Sequence, residues 1–270
     1  MKHIHFISGL PRSGSSLFSA LLRQNPRFVA NMSGPVAGLF NTLLGEMSGK
    51  NEFSVFIDDI KRQRILRGIF SSYYGDEGGD AVIFDTSRWW CTRLGALKIL
   101  FPNSKIIACV RQLPWVLDSI ERVIRSNAFQ PSSIFNFNPG GTVYSRVEGI
   151  LSNEGLVGFA YNALKEAYFG ENNSNLMLLQ YETLANDPGL ALNAVYGFIG
   201  EPYYRHDFEN VVLDNDEFDR RAGTPGLHRI RPRVEPFERK TLLPPDLAVR
   251  FKDDSFWRNP QLNTRGVYVV

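Results

Sequence analysis

The sequence predicts an α/β fold of three layers, with helices on both faces of a central parallel sheet of about five strands. Three observations predict it. Short apolar runs recur at 3–8, 27–32, 81–84, 105–110 and 175–180. Stretches with helical spacing lie among them, at 15–23, 89–100, 113–125 and 156–169; such alternation implies right-handed crossovers, which make neighbouring strands parallel. Finally, Ile106–Val110 is apolar throughout, as a strand buried on both faces must be.

The first element carries the sharpest signal. Ile4-His5-Phe6-Ile7-Ser8 reads as a strand, Gly9-Leu10-Pro11-Arg12-Ser13-Gly14-Ser15-Ser16 as a tight turn, and Leu17-Phe18-Ser19-Ala20-Leu21-Leu22 as a helix. Backbone N–H groups of such a turn and of the first helical turn converge on an anion, and the helix dipole adds to the attraction. Gly9 and Gly14 have the spacing of an NTPase phosphate loop, which narrows the fold to a P-loop-like nucleotide-binding type. The residue after the second glycine, a lysine in NTPases, is Ser15 here; the positive charge sits inside the loop at Arg12. One guanidinium among hydroxyls suits an anion with fewer charges than a triphosphate bound to magnesium.

The run 27–32 supplies the second strand. Residues 51–74 read as one long amphipathic helix, with Phe53, Phe56, Ile57 and Ile60 on one face and Asp58, Lys61 and Arg62 on the other. The third strand leads into Asp85 and Arg88 at its carboxyl end. The fourth ends on Arg111, and Ser119 follows eight residues later in the next helix. A fork-shaped donor and a hydroxyl can meet there on one phosphate, at the edge where open α/β sheets bind ligands. Residues 129–141, rich in proline, asparagine and glycine, read as a loop or lid. No repeat, linker or break in composition divides the chain. It reads as a single domain, 1–270, with a core at about 4–200 and an irregular C-terminal segment at about 205–270. Within that segment, residues 220–240 carry seven Lys or Arg against two Glu.

Composition narrows the functions. The 270 residues, 43% of them hydrophobic, suffice for one sizeable core. A net charge of +2 lacks the basic excess of a general nucleic-acid binder. Cys91 and Cys109 form no pair or cluster with the four histidines, so neither a zinc site nor a disulfide framework is indicated. No apolar run approaches the roughly 18 residues of a membrane span. Without a cleavable signal pattern, a cytoplasmic setting is expected.

The loop Gly-Leu-Pro-Arg-Ser-Gly-Ser-Ser-Leu resembles the 5′-phosphosulfate loop of sulfotransferases that use PAPS (3′-phosphoadenosine 5′-phosphosulfate), nearest the tyrosylprotein and bacterial branch. The resemblance implies that Pro11, Arg12, Ser13, Gly14, Ser15 and Ser16 hold the donor's 5′ end. Phe101-Pro102, Lys105, Val110-Arg111 and Ser119 are similar to the family's 3′-phosphate site, although Gln112-Leu113-Pro114 departs from its Asp-Pro or Asp-Gly. Arg111 and Ser119 are implied to bind that phosphate. Leu178 to Leu184, followed by Asp187-Pro188, is similar to the strand before the family's last core helix; it places Tyr181 at the adenosine end or in packing. The basic segment lies where related enzymes close a loop over the nucleotide. Arg231 or Arg233 would then approach the 3′-phosphate or adenine, a solvated charge run being the alternative. The resemblance covers about residues 4–200.

It implies transfer of a sulfuryl group from PAPS to an acceptor hydroxyl, with PAP released and no metal required. Arg12 would stabilise the leaving oxygen. The base is where the pattern fails. The glutamate of the tyrosylprotein branch falls on Ser33, and the histidine and lysine of cytosolic sulfotransferases fall near Asp85 and Arg88. Asp85 as base and Arg88 as cation are the substitutes at that edge, with Glu46, Asp58, Glu148 and His228 as others. A peptide tyrosine and a hydrophobic small molecule, enclosed by Trp89, Trp90, Trp115 and the aromatic 129–137 loop, remain open as acceptors. The rival functions are a P-loop nucleotide kinase or NTPase, and a non-catalytic nucleotide-binding or scaffold protein.

Overall fold

Along the central strands, neighbouring apolar side chains go to opposite faces and nucleate two cores. Ile106, Ala108 and Val110 face one side with Leu176 and Leu178; Ile107 and Cys109 face the other with Met177 and Leu179. A computed structural model describes residues 3–130, 132–135, 141–214 and 216–270. The strands are β1 (His3–Gly9), β2 (Phe28–Ala30), β3 (Val82–Thr86), β4 (Ile106–Val110), β5 (Leu176–Gln180) and β6 (Tyr268–Val269). They form one sheet in the order β2-β3-β1-β4-β5-β6, all parallel. The two-residue β6 is the strand beyond the expected five; it is too short to show a periodic signal in the sequence.

The helices are α1 (Ser15–Leu22), α2 (Val36–Glu46), α3 (Asp59–Tyr73), α4 (Leu94–Leu100), α5 (Leu113–Ser126), α6 (Val143–Leu151), α7 (Leu156–Phe169), α8 (Tyr181–Asn186), α9 (Pro188–Ile199), α10 (Asp216–Arg221) and α11 (Pro245–Arg250). Residues of α1 and α9 pack with one core, those of α2 to α7 with the other. The long helix expected over 51–74 is broken. Glu52–Phe56 form a 3-10 turn, and Asp58 then caps α3 by accepting the Lys61 N–H at 2.8 Å. A capping carboxylate ends one element and starts the next. The buried face of α3 is Leu66 and Phe70, whereas Phe53, Phe56 and Ile60 are 63%, 68% and 70% exposed. The stretch 89–100 also splits, into a 3-10 turn at Arg88–Arg93 and α4. Of the expected loop at 129–141, residues 131 and 136–140 lie outside the described residues.

The sheet's carboxyl edge gathers the ends of β1, β3, β4 and β5, so Arg12, Arg88, Arg111 and Tyr181 all follow directly from strands. The chain crosses from β3 on one side of β1 to β4 on the other, the switch point at which such sheets open a crevice. The C-terminal segment returns to this edge. Val211 N–H donates to Pro232 O at 2.7 Å and Val234 N–H to Phe208 O at 2.8 Å. Asp118 of α5, fully buried, ties the segment down: Arg239 pairs with it at 2.7 Å and Leu242 N–H donates to it at 2.7 Å. No helix among the described residues is long and apolar enough to cross a membrane.

Candidate active site

A cleft of about 1150 Å³ opens at this edge. Its floor is the loop between β1 and α1. Gly9 takes φ +103°, and a side chain there would stand 2.2 Å from Cys109 O, so only glycine lets β1 end against β4. Leu10 N–H donates to Cys109 O at 2.9 Å and Ser13 Oγ donates to the same oxygen at 2.9 Å, pinning the loop to the sheet. Gly14, at φ +96°, starts α1 without a side-chain cap, and no acidic residue stands in the first turn. The free N–H groups of that turn are left for an anion.

Pro11, Arg12, Gly14, Ser15 and Ser16 line the cleft. Ser13 does not; its hydroxyl is spent on the backbone and the residue is buried. Arg12 holds φ 59°, the left-handed region that side chains avoid. Strain of that kind persists where the surrounding structure imposes it, and here it turns the guanidinium across the cleft. Arg12 Nε donates to Ser119 Oγ at 2.9 Å, joining residues 107 apart in sequence.

Arg111 extends from β4 over the ring of Tyr181, 4.0 Å from its centroid. Tyr181 also meets Gly14, where an added Cβ would lie 2.8 Å from the ring. Tyr181 therefore packs between the loop and Arg111. Arg111 Nε is buried without a hydrogen-bond acceptor among the described residues. Arg12, Arg88 and Arg111 all lack a carboxylate partner at ion-pair distance among the described residues. Burial, then neighbouring Arg111, lowers the pKa of Arg12 to about 10 against the opposing pull of Asp219; Arg239 lowers it further. The guanidinium stays charged at neutral pH. Cations gathered without counter-charges raise the local concentration of anions.

The basic segment divides. Arg233 pairs with Glu209 at 2.9 Å, whereas Arg231 lies 3.5 Å from the Phe237 ring centroid with its charge unpaired. Both line the cleft, as does Arg239. An adjoining pocket of about 510 Å³ is walled by Arg111, Trp115, Tyr181, Phe237 and Arg239. Arg239 stood out in the sequence only as part of the basic run. Its anchor, Asp118, is far away in the chain, and no local spacing announces the pair.

The substitutes at the end of β3 are placed differently from one another. Arg88 lines the cleft. Asp85, 1% exposed, faces the core: Tyr74 Oη donates to it at 2.6 Å and Trp90 Nε1 at 2.8 Å. Burial raises its pKa, against those two hydrogen bonds. Trp90 is likewise fully buried and does not line the cleft, while Trp89 does. Glu46 accepts from Asn51, Asp58 caps α3 and Glu148 pairs with Arg250, and none of the three lines the cleft. Ser33, at the expected glutamate position, lines it. So does His228, whose Nδ1 lies 2.6 Å from Asp219 Oδ1.

Residues 5–205 match the family model described as "Sulfotransferase family". No curated protein matches the chain. Among solved structures, the sulfotransferase domain from the curacin biosynthetic pathway is 15% identical, with a TM-score of 0.50 over 76% of each chain. The sulfotransferase domain from the Synechococcus PCC 7002 olefin synthase is 16% identical, with a TM-score of 0.45 over 84% of this chain and 86% of its own. Sulfotransferase STF9 from Mycobacterium avium is 11% identical, with a TM-score of 0.42 over 74% of this chain and 64% of its own. At such identities the first likeness speaks for the fold alone.

Proposed function

We propose that this chain, which belongs to the sulfotransferase family, moves a sulfuryl group from PAPS to an acceptor hydroxyl and releases PAP. One contact carries the reading: Arg12 Nε donates to Ser119 Oγ at 2.9 Å. It sets the loop that resembles a 5′-phosphosulfate site against the serine that resembles a 3′-phosphate ligand, as one nucleotide with both groups requires. The buried Arg111 Nε supports it, because a donor without an acceptor is satisfied when an anion arrives.

In this reading Pro11, Arg12, Gly14, Ser15 and Ser16 hold the 5′ end, and Ser13 contributes only backbone. Arg111 and Ser119 hold the 3′-phosphate beside Arg239, with Tyr181 supporting Arg111. The segment at 205–270 covers the nucleotide, Arg231 offering a free charge and Arg233 a shared one. Bound PAPS supplies the sulfuryl group and a bisphosphate leaving group. Arg12 and Arg88 stabilise the charge that grows on the leaving oxygen, an effect worth about 10²–10³-fold per donor. The acceptor, a peptide tyrosine or a hydrophobic small molecule, enters along the wall with Trp89 and Phe135.

Calorimetric titration with PAP and with adenosine 5′-monophosphate tests the donor site. The wild type should prefer PAP by about 100-fold, consistent with a charge-assisted, bidentate phosphate contact. Arg111→Ala should erase that preference, and Arg12→Ala should weaken both ligands. Equal affinity of the wild type for the two nucleotides would overturn the reading and return the loop to an NTPase-like or scaffold role.

A further inference from the structure

The geometry points to His228, oriented by Asp219, as the general base that takes the acceptor's proton; this rests on the sulfotransferase reading and names a group the family patterns did not locate. His228 lies in the C-terminal segment, and its half-buried ring lines the same cleft as Arg12 and Arg88. Asp219, on α10, is 1% exposed. One of its oxygens lies 2.6 Å from His228 Nδ1, and the other accepts the His228 backbone N–H at 2.8 Å.

The chain is folded to make this pair. Thr224 N–H donates to Asp219 O at 2.9 Å and Leu227 N–H to Thr224 O at 3.0 Å. Gly226, at φ +81°, turns the chain back so that His228 meets the residue nine positions before it. Phe218 closes on the ring, with centroids 5.6 Å apart. A carboxylate buried this deeply is costly unless it is partnered, and among the described residues no Lys or Arg pairs with Asp219. Its partners are this histidine and the backbone.

An ionised carboxylate only accepts, so Nδ1 carries the ring proton and Nε2 keeps its lone pair. Among the described residues Nε2 makes no hydrogen bond. The groups that face the ring electrostatically are Asp219 from α10, Arg12 from the phosphate loop and Arg88 from the end of β3. Burial, aided by the two arginines and opposed by Asp219, holds the pKa of His228 below the ordinary imidazole value. The ring is therefore neutral at neutral pH, as a base must be.

The step balances. The acceptor's O–H proton passes to Nε2 as its oxygen forms the new S–O bond. The old S–O bond breaks, with its electron pair going to the 5′-phosphate oxygen beside Arg12. The imidazolium then returns its proton to solvent. His228 is the catalytic residue here and Asp219 a positioning residue.

The test uses the full chain and needs no knowledge of the natural acceptor. Hydrolysis of PAPS, with water as acceptor, is followed for wild type, His228→Gln and Asp219→Asn, alongside calorimetry with PAP and NMR of the His228 ring nitrogens. His228→Gln should lower kcat by about 10²–10³-fold and abolish the acid limb of the pH profile, leaving PAP affinity within about twofold. In the NMR experiment wild-type His228 should be the Nδ1–H tautomer at pH 7, and Asp219→Asn should shift its tautomer and lower its pKa. A ring that is the Nε2–H tautomer, or protonated at pH 7.5 in the presence of PAP, would overturn the assignment. So would a His228→Gln enzyme with wild-type kcat. Failure of the wild type to bind PAP would instead overturn the sulfotransferase reading itself. If Asp219→Asn does not fold, His228→Gln and the wild-type tautomer still decide.

Discussion

The two walls of the cleft are held by different means. The loop from Gly9 to Ser16 is fixed by the sheet beneath it: Leu10 N–H and Ser13 Oγ both donate to Cys109 O, and Gly9 lies against the β4 backbone. The segment from Phe218 to Leu242 contributes no strand to the sheet, and only Ile230 and Val234 pack against the core on that side. It is held by backbone hydrogen bonds at Pro232 and Val234 and by buried carboxylates, with Asp118 accepting from Leu242 and pairing with Arg239, and Asp219 holding His228. A wall tied to a buried strand is rigid before ligand arrives, which is what stabilisation of a developing charge requires. A wall tied by a few polar contacts opens locally at lower cost, which suits one that must admit a nucleotide and release its product.

The rigid wall should give the largest losses. Arg12→Ala removes the cation from the loop without touching the sheet; sulfuryl transfer should fall about 10³-fold, the upper end of what loss of one donor to a developing charge costs. Circular dichroism and melting should stay close to wild type, since alanine carries the same left-handed strain that arginine does. Gly9→Ala strikes the same wall from beneath. Its Cβ would lie 2.2 Å from Cys109 O, so denaturant melts should show a loss of about 3 kcal/mol or more, or no folded protein. A Gly9→Ala protein of wild-type stability would show that the loop is not clamped to β4.

The polar wall should break by degrees. Asp118→Asn removes the charge that pairs with Arg122 and Arg239 while keeping an acceptor for Leu242. Loss of a paired, fully buried carboxylate should cost about 2–3 kcal/mol and weaken PAP by about tenfold. Burial pushes the Asp118 carboxyl up, but the Leu242 N–H, Arg122 and Arg239 outweigh it and hold the pKa below the ordinary value. A depressed carboxylate pKa stabilises above the unfolded value and loses its effect as pH falls through the folded one. Melting curves of wild type and Asp118→Asn should therefore differ at pH 7 and begin to converge only as the pH falls below about 4. Curves whose separation does not narrow at all between pH 7 and about pH 2 would assign the anchor to packing rather than charge.

The same contrast explains what the sequence disclosed. β1, the loop and α1 are contiguous, so glycine spacing and hydrophobic pattern display them together. Arg111 and Ser119 are separated by a strand end and two helical turns, a distance that local geometry converts into proximity. Asp85 shows the limit. Its position at the end of β3 is visible, but strand alternation sends it to the Ile83 side, where Tyr74 and Trp90 take both oxygens. Residues 51–74 failed because apolar spacing continued through Asp58, whose capping contact ends the pattern. His228 was one candidate among several, because its partner lies nine residues away through an irregular turn that has no period. Arg239 depended on Asp118 in another element altogether.

The smallest effect distinguishes two roles that spacing left open for Tyr181. The ring is wedged between Gly14 and Arg111, and no hydrogen bond from its hydroxyl to a described residue accompanies this packing. If Tyr181 acts by holding Arg111 in place, Tyr181→Phe keeps the wedge and should change PAP affinity by less than about twofold. Tyr181→Ala removes both the cation–π contact, worth about 0.5–2 kcal/mol, and the surface on which Arg111 rests. It should weaken PAP by about tenfold while leaving adenosine 5′-monophosphate nearly unaffected, because the lost support belongs to the 3′-phosphate ligand. Equal weakening of both nucleotides by Tyr181→Ala would place the ring against adenosine instead. The polar wall would then have to close on a base already held by the rigid one.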